Sequence, residues 1–134
     1  MTMSSSDLDP ASVAAPDRVA TAALSPAASL FRGLGDPARL AILRHLALGE
    51  HRVVDLTAHL GLAQSTVSAH LSCLRDCGLL TSRPHGRASL WSLVASPELL
   101  EMLAAAERLL IVTGDAVDLC PTYGTAAADE ETGR

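Results

Sequence analysis

Two cysteines four residues apart, Cys73 and Cys77, and a third in the C-terminal region, Cys120, are the side chains of this sequence best equipped for chemistry. If the segment holding the pair is helical, the two thiols lie ~40° apart around the axis and ~6 Å apart along it, on one face. Such a pair can chelate one ion. Sulfur donors suit thiophilic ions rather than magnesium or calcium. A third ligand must come from elsewhere, and Cys120 is the one cysteine left. Closing the pair as a disulfide would distort the helix, because i and i+4 Cβ atoms stand ~5–6 Å apart and a disulfide needs ~3.5–4.5 Å. Asp76 and the negative end of the helix dipole raise the thiol pKa, with Arg75 partly offsetting, and this slows oxidation. A metal can displace the protons regardless. Spacing therefore favours a chelate, with a redox signal on the same thiols as the alternative.

The elements that must position these residues follow from glycine, proline and apolar spacing. Asp17–Leu24 can form a short helix. Ala27–Leu34 forms another, with Leu30, Phe31 and Leu34 as its apolar face and Gly35 ending it. Asp36-Pro37 supplies an N-cap followed by proline at the first helical position. That helix is expected to run to Leu48, burying Leu40, Leu43, Ala47, Ile42 and Leu46, with Gly49 stopping it. Val53–Leu60 is a third helix, offering Val54, Leu56 and Leu60 to the core. Gly61 breaks it, Leu62-Ala63-Gln64 turns, and Ser65 can cap the next helix. There Val67, Leu71 and Leu74 form one inward stripe, and Gly78 suits a left-handed cap. Leu79–Arg83 and Ala88–Leu93 read as strands joined by the turn Pro84–Arg87. Ser96-Pro97-Glu98 opens a last helix to Val112, with Leu99, Leu103, Ala106 and Leu110 on one face. The fold class is mainly α with a small β-hairpin, a winged helix-turn-helix.

The chain has 134 residues, with 49% hydrophobic and only 2% aromatic, which favours one domain with an aliphatic core. Residues 1–25 read as a flexible arm, 26–113 as the folded domain and 114–134 as an acidic tail. No apolar run approaches the ~18–20 residues that span a bilayer. The N-terminus lacks the basic-then-apolar pattern of a secretory signal. The expected location is cytoplasmic, where three cysteines read as thiols. Net charge is −5, and there is no lysine. The acids concentrate at the two ends, however, and the central stretch carries a small excess of arginine, including Arg75, Arg83 and Arg87.

Two short helices joined by a tight turn make a helix-turn-helix, whose second helix presents its N-terminal residues to base edges in the major groove. Those residues are Gln64, Ser65, Thr66, Ser68 and His70, with packing against the neighbouring helix as the alternative for His70. Arg83 and Arg87 flank the hairpin turn and can reach phosphate or the minor groove. His45 and His85 read as packed or solvated side chains rather than ligands. Catalysis has little support: His70 lies one turn before Cys73, but nothing suggests an oxyanion hole or a substrate cleft. A protein-interaction module without DNA binding is the rival of another class, separable by failure to shift promoter DNA.

Gly35-Asp-Pro-Ala-Arg-Leu-Ala-Ile-Leu43, Ser65-Thr-Val-Ser-Ala-His-Leu71, Gly78-Leu-Leu80 and the hairpin Gly86-Arg87 to Trp91 together resemble the ArsR/SmtB family of winged-helix repressors over roughly residues 26–112. Trp91 stands where the family commonly has tyrosine. The resemblance implies a homodimer with the first and last helices at its interface, and binding to operator DNA that an inducer weakens. Leu71-Ser-Cys-Leu-Arg-Asp-Cys-Gly78 is similar to the cadmium/lead-sensor branch. That similarity implies Cd(II) or Pb(II) as inducer, no organic cofactor, and Cys73, Cys77 and Cys120 as ligands, the last by its place after the final helix and from either subunit. Val53–Leu60 lacks the Cys-x-Cys of arsenic sensors, and the last helix lacks the histidine of the zinc, nickel and cobalt site. Arsenic or redox sensing on the same fold is the alternative.

Overall fold

In the computed structural model, which describes residues 20–94 and 96–124, Asp36 starts a helix as its sequence context demands. Its backbone is extended, its Oδ1 accepts from the Ala38 N–H at 2.8 Å and the Arg39 N–H at 3.1 Å, and Pro37 follows at the first helical position. These contacts satisfy donors that the first turn would otherwise leave unpaired. The element order is α1 (Ser25–Leu34), α2 (Pro37–Leu46), α3 (Val53–Leu60), α4 (Gln64–Asp76), β1 (Leu80–His85), β2 (Ala88–Leu93) and α5 (Ser96–Val112). The chain divides into two compact units, Met1–Arg32 and Gly33–Arg134. In the first, residues 20–23 are helical and lead into α1, on which Phe31 is exposed. The expected arm lies mostly outside the described residues. None of the described helices is long and apolar enough to cross a membrane.

The second unit is organised around a core of Ile42, Leu43, Leu46, Leu56, Val67, Leu71, Leu74, Leu80, Trp91, Leu99, Leu100 and Leu103. The stripe Val67, Leu71 and Leu74 is fully buried, as its spacing predicts. α2 ends at Leu46 rather than Leu48, and Leu48 is exposed. In α3, Leu56 is buried and Val53 is half-buried, whereas Val54 is 56% exposed. Val54 and Leu56 are two residues apart and cannot share a helical face; Val53, Leu56 and Leu60 can.

α4 starts one residue before the expected cap. Ala63 holds the extended cap conformation, Ser65 lies inside the first turn, and no side chain caps this helix. Its other end closes as a Schellman motif: Gly78 is left-handed at φ 81°, its N–H donates to the Arg75 carbonyl, and the Leu79 N–H donates to the Leu74 carbonyl. β1 and β2 pair antiparallel from Leu80↔Leu93 to His85↔Ala88, so the strand extends through Pro84 and the loop shrinks to Gly86-Arg87. Proline is tolerated there because a two-stranded ribbon has open edges, and left-handed Gly86 (φ 63°) lets the short loop close. On the other side of β2, Trp91 exchanges backbone hydrogen bonds with His51 at 2.8 and 3.1 Å.

Candidate metal centre and nucleic-acid interface

Cys73 lies in the last turns of α4 and Cys77 caps its end, and the two side chains share a hydrogen bond. Both are partly exposed. Burial pushes the Cys77 thiol above its ordinary value; the charge and hydrogen bond of Cys73 and the charge of Asp76 push the same way, and Arg39 opposes them. Gly33 packs against this thiol so tightly that a Cβ there would stand 2.9 Å from Cys77 Sγ. Arg75, between the cysteines, places its guanidinium 5.7 Å from the Trp91 ring centroid, tying the thiol-bearing turn to β2.

Cys120 is placed differently. It is fully buried and belongs, with Leu119, to the main core cluster. The segment after α5 is held there by Glu107, a fully buried acid on α5. One carboxylate oxygen of Glu107 accepts the N–H groups of Leu119 and Cys120, the second at 2.9 Å. The Tyr123 N–H donates to Cys120 Sγ at 3.2 Å, and Arg44 on α2 pairs with Asp118 at 3.1 Å. Gly124 closes the loop, where a Cβ would collide with the Glu107 carboxylate and the Cys120 carbonyl. Within one chain Cys120 is therefore not gathered with Cys73 and Cys77 into a three-ligand group among the described residues. The pair fits the front of a thiolate site, while the third sulfur sits in a separate, well-satisfied seat.

The expected DNA-contacting residues divide in the same way. Gln64, Ser65 and Thr66 are exposed at the uncapped start of α4, and Ser68 is half-buried. His70 is turned toward α2, with Nδ1 3.4 Å from Arg39 Nη1 and Nε2 3.9 Å from Asp36 Oδ1. It does not share the outward face. On the hairpin, Arg83 is exposed but held by Glu50 through two contacts of 2.9 and 3.1 Å. Arg87 is exposed in the loop and joins no ion pair among the described residues.

The family pattern described as "Bacterial regulatory protein, arsR family" matches residues 36–82. The transcriptional regulator CmtR of Mycobacterium bovis is 38% identical over 106 residues, covering 79% of this chain and 90% of that protein. The chain belongs to the ArsR family. The "Probable mercury resistance operon repressor" of Streptomyces lividans is 37% identical over 93 residues, 69% of this chain and 74% of its own length. In structure, the homodimeric winged helix-turn-helix DNA-binding domain of Mb0332 from Mycobacterium bovis superposes with a TM-score of 0.63 at 26% identity, covering 71% of this chain and 87% of that one.

Membership makes this ArsR-family chain a transcriptional regulator rather than an enzyme. It also separates what family patterns carry from what they do not. Neither Glu107 nor the Arg39 contacts announce themselves in sequence. Glu107 lies at i+4 from Leu103, on the buried face, and an acid at such a position is the signal that could have revealed a partner arriving from outside the helix.

Proposed function

We propose that this ArsR-family regulator is a metal-released repressor. In this reading a homodimer holds operator DNA and lets go when Cd(II) or Pb(II) is held by Cys73, Cys77 and Cys120. The observation that carries the reading is the hydrogen-bonded thiol pair at the end of α4, the helix whose other end offers Gln64, Ser65 and Thr66 to a groove. An uncapped helix start leaves N–H groups open to phosphate. Arg87 supplies a second phosphate contact from the hairpin loop, and Arg83 a third once it parts from Glu50. His70 supports α4 against α2 instead of touching bases. Leu109, Ile111 and Val112 on α5 are exposed apolar residues that a second copy would cover.

Recruiting Cys120 to the pair requires it to leave the seat over Glu107, in its own chain or a partner's. New thiolate bonds offset the loss of that packing, and the outcome favours a dimer state poorly matched to the operator. The test is a mobility shift on the operator with Cd(II), Pb(II) and other thiophilic ions. Cys73→Ser and Cys77→Ser proteins are expected to bind operator normally and to lose metal-induced release. Normal release of either variant by Cd(II) would show that the ligands are wrongly assigned.

A further inference from the structure

Three histidines dispersed between positions 45 and 59 converge on one spot. His45 is in the last turn of α2, His51 precedes α3, and His59 is near the end of α3. One ring nitrogen from each lies within 4.8 Å of the other two. The His45 and His59 rings stack with centroids 4.6 Å apart and 16° between planes, while His51 stands edge-on at 5.7 Å from His59 and 6.1 Å from His45. None of the cysteines takes part.

Two further observations prepare these rings as donors. His51 Nδ1 is 2.8 Å from the Gly49 carbonyl oxygen. A carbonyl can only accept, so Nδ1 carries the proton there, and in the neutral ring Nε2 is the nitrogen with the free lone pair. A backbone carbonyl on the far nitrogen is the usual way a metal-binding histidine is oriented. His45 is held below its ordinary pKa, first by burial and then by the facing His59 and His51 and by Arg44, which leaves its ring neutral over a wider pH range.

We propose that His45, His51 and His59 form a nitrogen-donor metal site, separate from the thiols, that takes a borderline first-row divalent ion of the zinc type. Three neutral imidazoles suit such ions; calcium and magnesium want oxygen, and the softest ions want sulfur. Zinc–nitrogen bonds of ~2.0–2.1 Å in a tetrahedron put ligand nitrogens ~3.3 Å apart, so the rings need a small adjustment. His59 is exposed and can make it. Water completes the fourth position. The site joins the end of α2 to the end of α3, and the His51 backbone continues the link to Trp91 in β2. An ion here therefore braces the helix-turn-helix against the hairpin, and it stabilises the arrangement seen here rather than undoing it.

The experiment uses the full chain carrying Cys73→Ser and Cys77→Ser, so that the thiol pair cannot contribute and the thiol reading is not at stake. Calorimetric titration with Zn(II) is expected to give one ion per protomer and to raise the melting temperature. Co(II) is expected to give visible ligand-field bands without a thiolate charge-transfer band. His59→Ala, at an exposed position, should weaken binding by roughly 10–100-fold or more, since even outer-shell partners of metal ligands are worth that much. His51→Ala should do the same while its backbone bridge keeps the hairpin in place, with circular dichroism confirming both folds. The proposal is overturned if the thiol-pair-free chain binds neither ion, if binding survives both histidine variants, or if a charge-transfer band reveals Cys120 as a ligand.

Discussion

At Cys77 the thiol carries a proton that the proposed metal would have to remove. Burial, Cys73 and Asp76 all hold its thiol above the ordinary value. Metal uptake therefore releases that proton, and apparent affinity for Cd(II) is expected to rise with pH through neutrality until the raised pKa is passed. Competition titrations at several pH values check this, and Cys77→Ser should flatten the dependence. A pH-independent affinity would mean that Cys77 is not a ligand. The pairing of the two thiols was legible from their spacing alone, because four residues on a helix fix both azimuth and rise. The inward turn of His70 was not: spacing places it off the core stripe, but only the fold brings Asp36 and Arg39 to its ring.

At the scale of elements, the residues around Cys120 read as tail in the sequence, and the structure docks them against the core. Their seat depends on one buried carboxylate, so Glu107→Ala should free them. The expected outcome is that Cys120 reacts about tenfold faster or more with a thiol reagent, as an opened segment does, while the helical signal changes little. Unchanged thiol kinetics would assign the seat to Leu119 and Arg44 instead. The helices and the hairpin themselves were readable because Gly49, Gly61, Gly78 and the Asp36-Pro37 pair punctuate the chain, and these act locally. What escaped was phase and partner. Val53 rather than Val54 faces inward, Ala63 rather than Ser65 holds the cap position, and Glu107 is buried. Each is decided by what lies across the contact, which a periodicity does not contain. The three histidines are the extreme case, since two helices and their connection must fold before they meet.

For the whole molecule, a net charge of −5 makes affinity for DNA depend on where the few arginines sit. In a dimer the two α4 helices would address successive major grooves ~34–36 Å apart. Arg87→Ala is expected to weaken binding to specific and unrelated sequences alike, and to lower the salt dependence by about one phosphate contact per protomer. Binding isotherms at several salt concentrations measure it. A loss confined to the operator sequence would instead make Arg87 a base reader. Arg83→Ala should cost less, because that side chain must first leave Glu50.

The absence of a side chain at Gly33 sets a clearance for the sulfur of Cys77. A methyl group there would press on the thiol from outside, with no ion present, and so act as a permanent wedge where the proposed inducer would act transiently. Gly33→Ala is thus expected to bind operator more weakly without metal and to respond less when metal is added. Sensitivity in this protein is then a matter of empty space as well as of ligands, and a residue with no functional group at all takes its place among the determinants of the response.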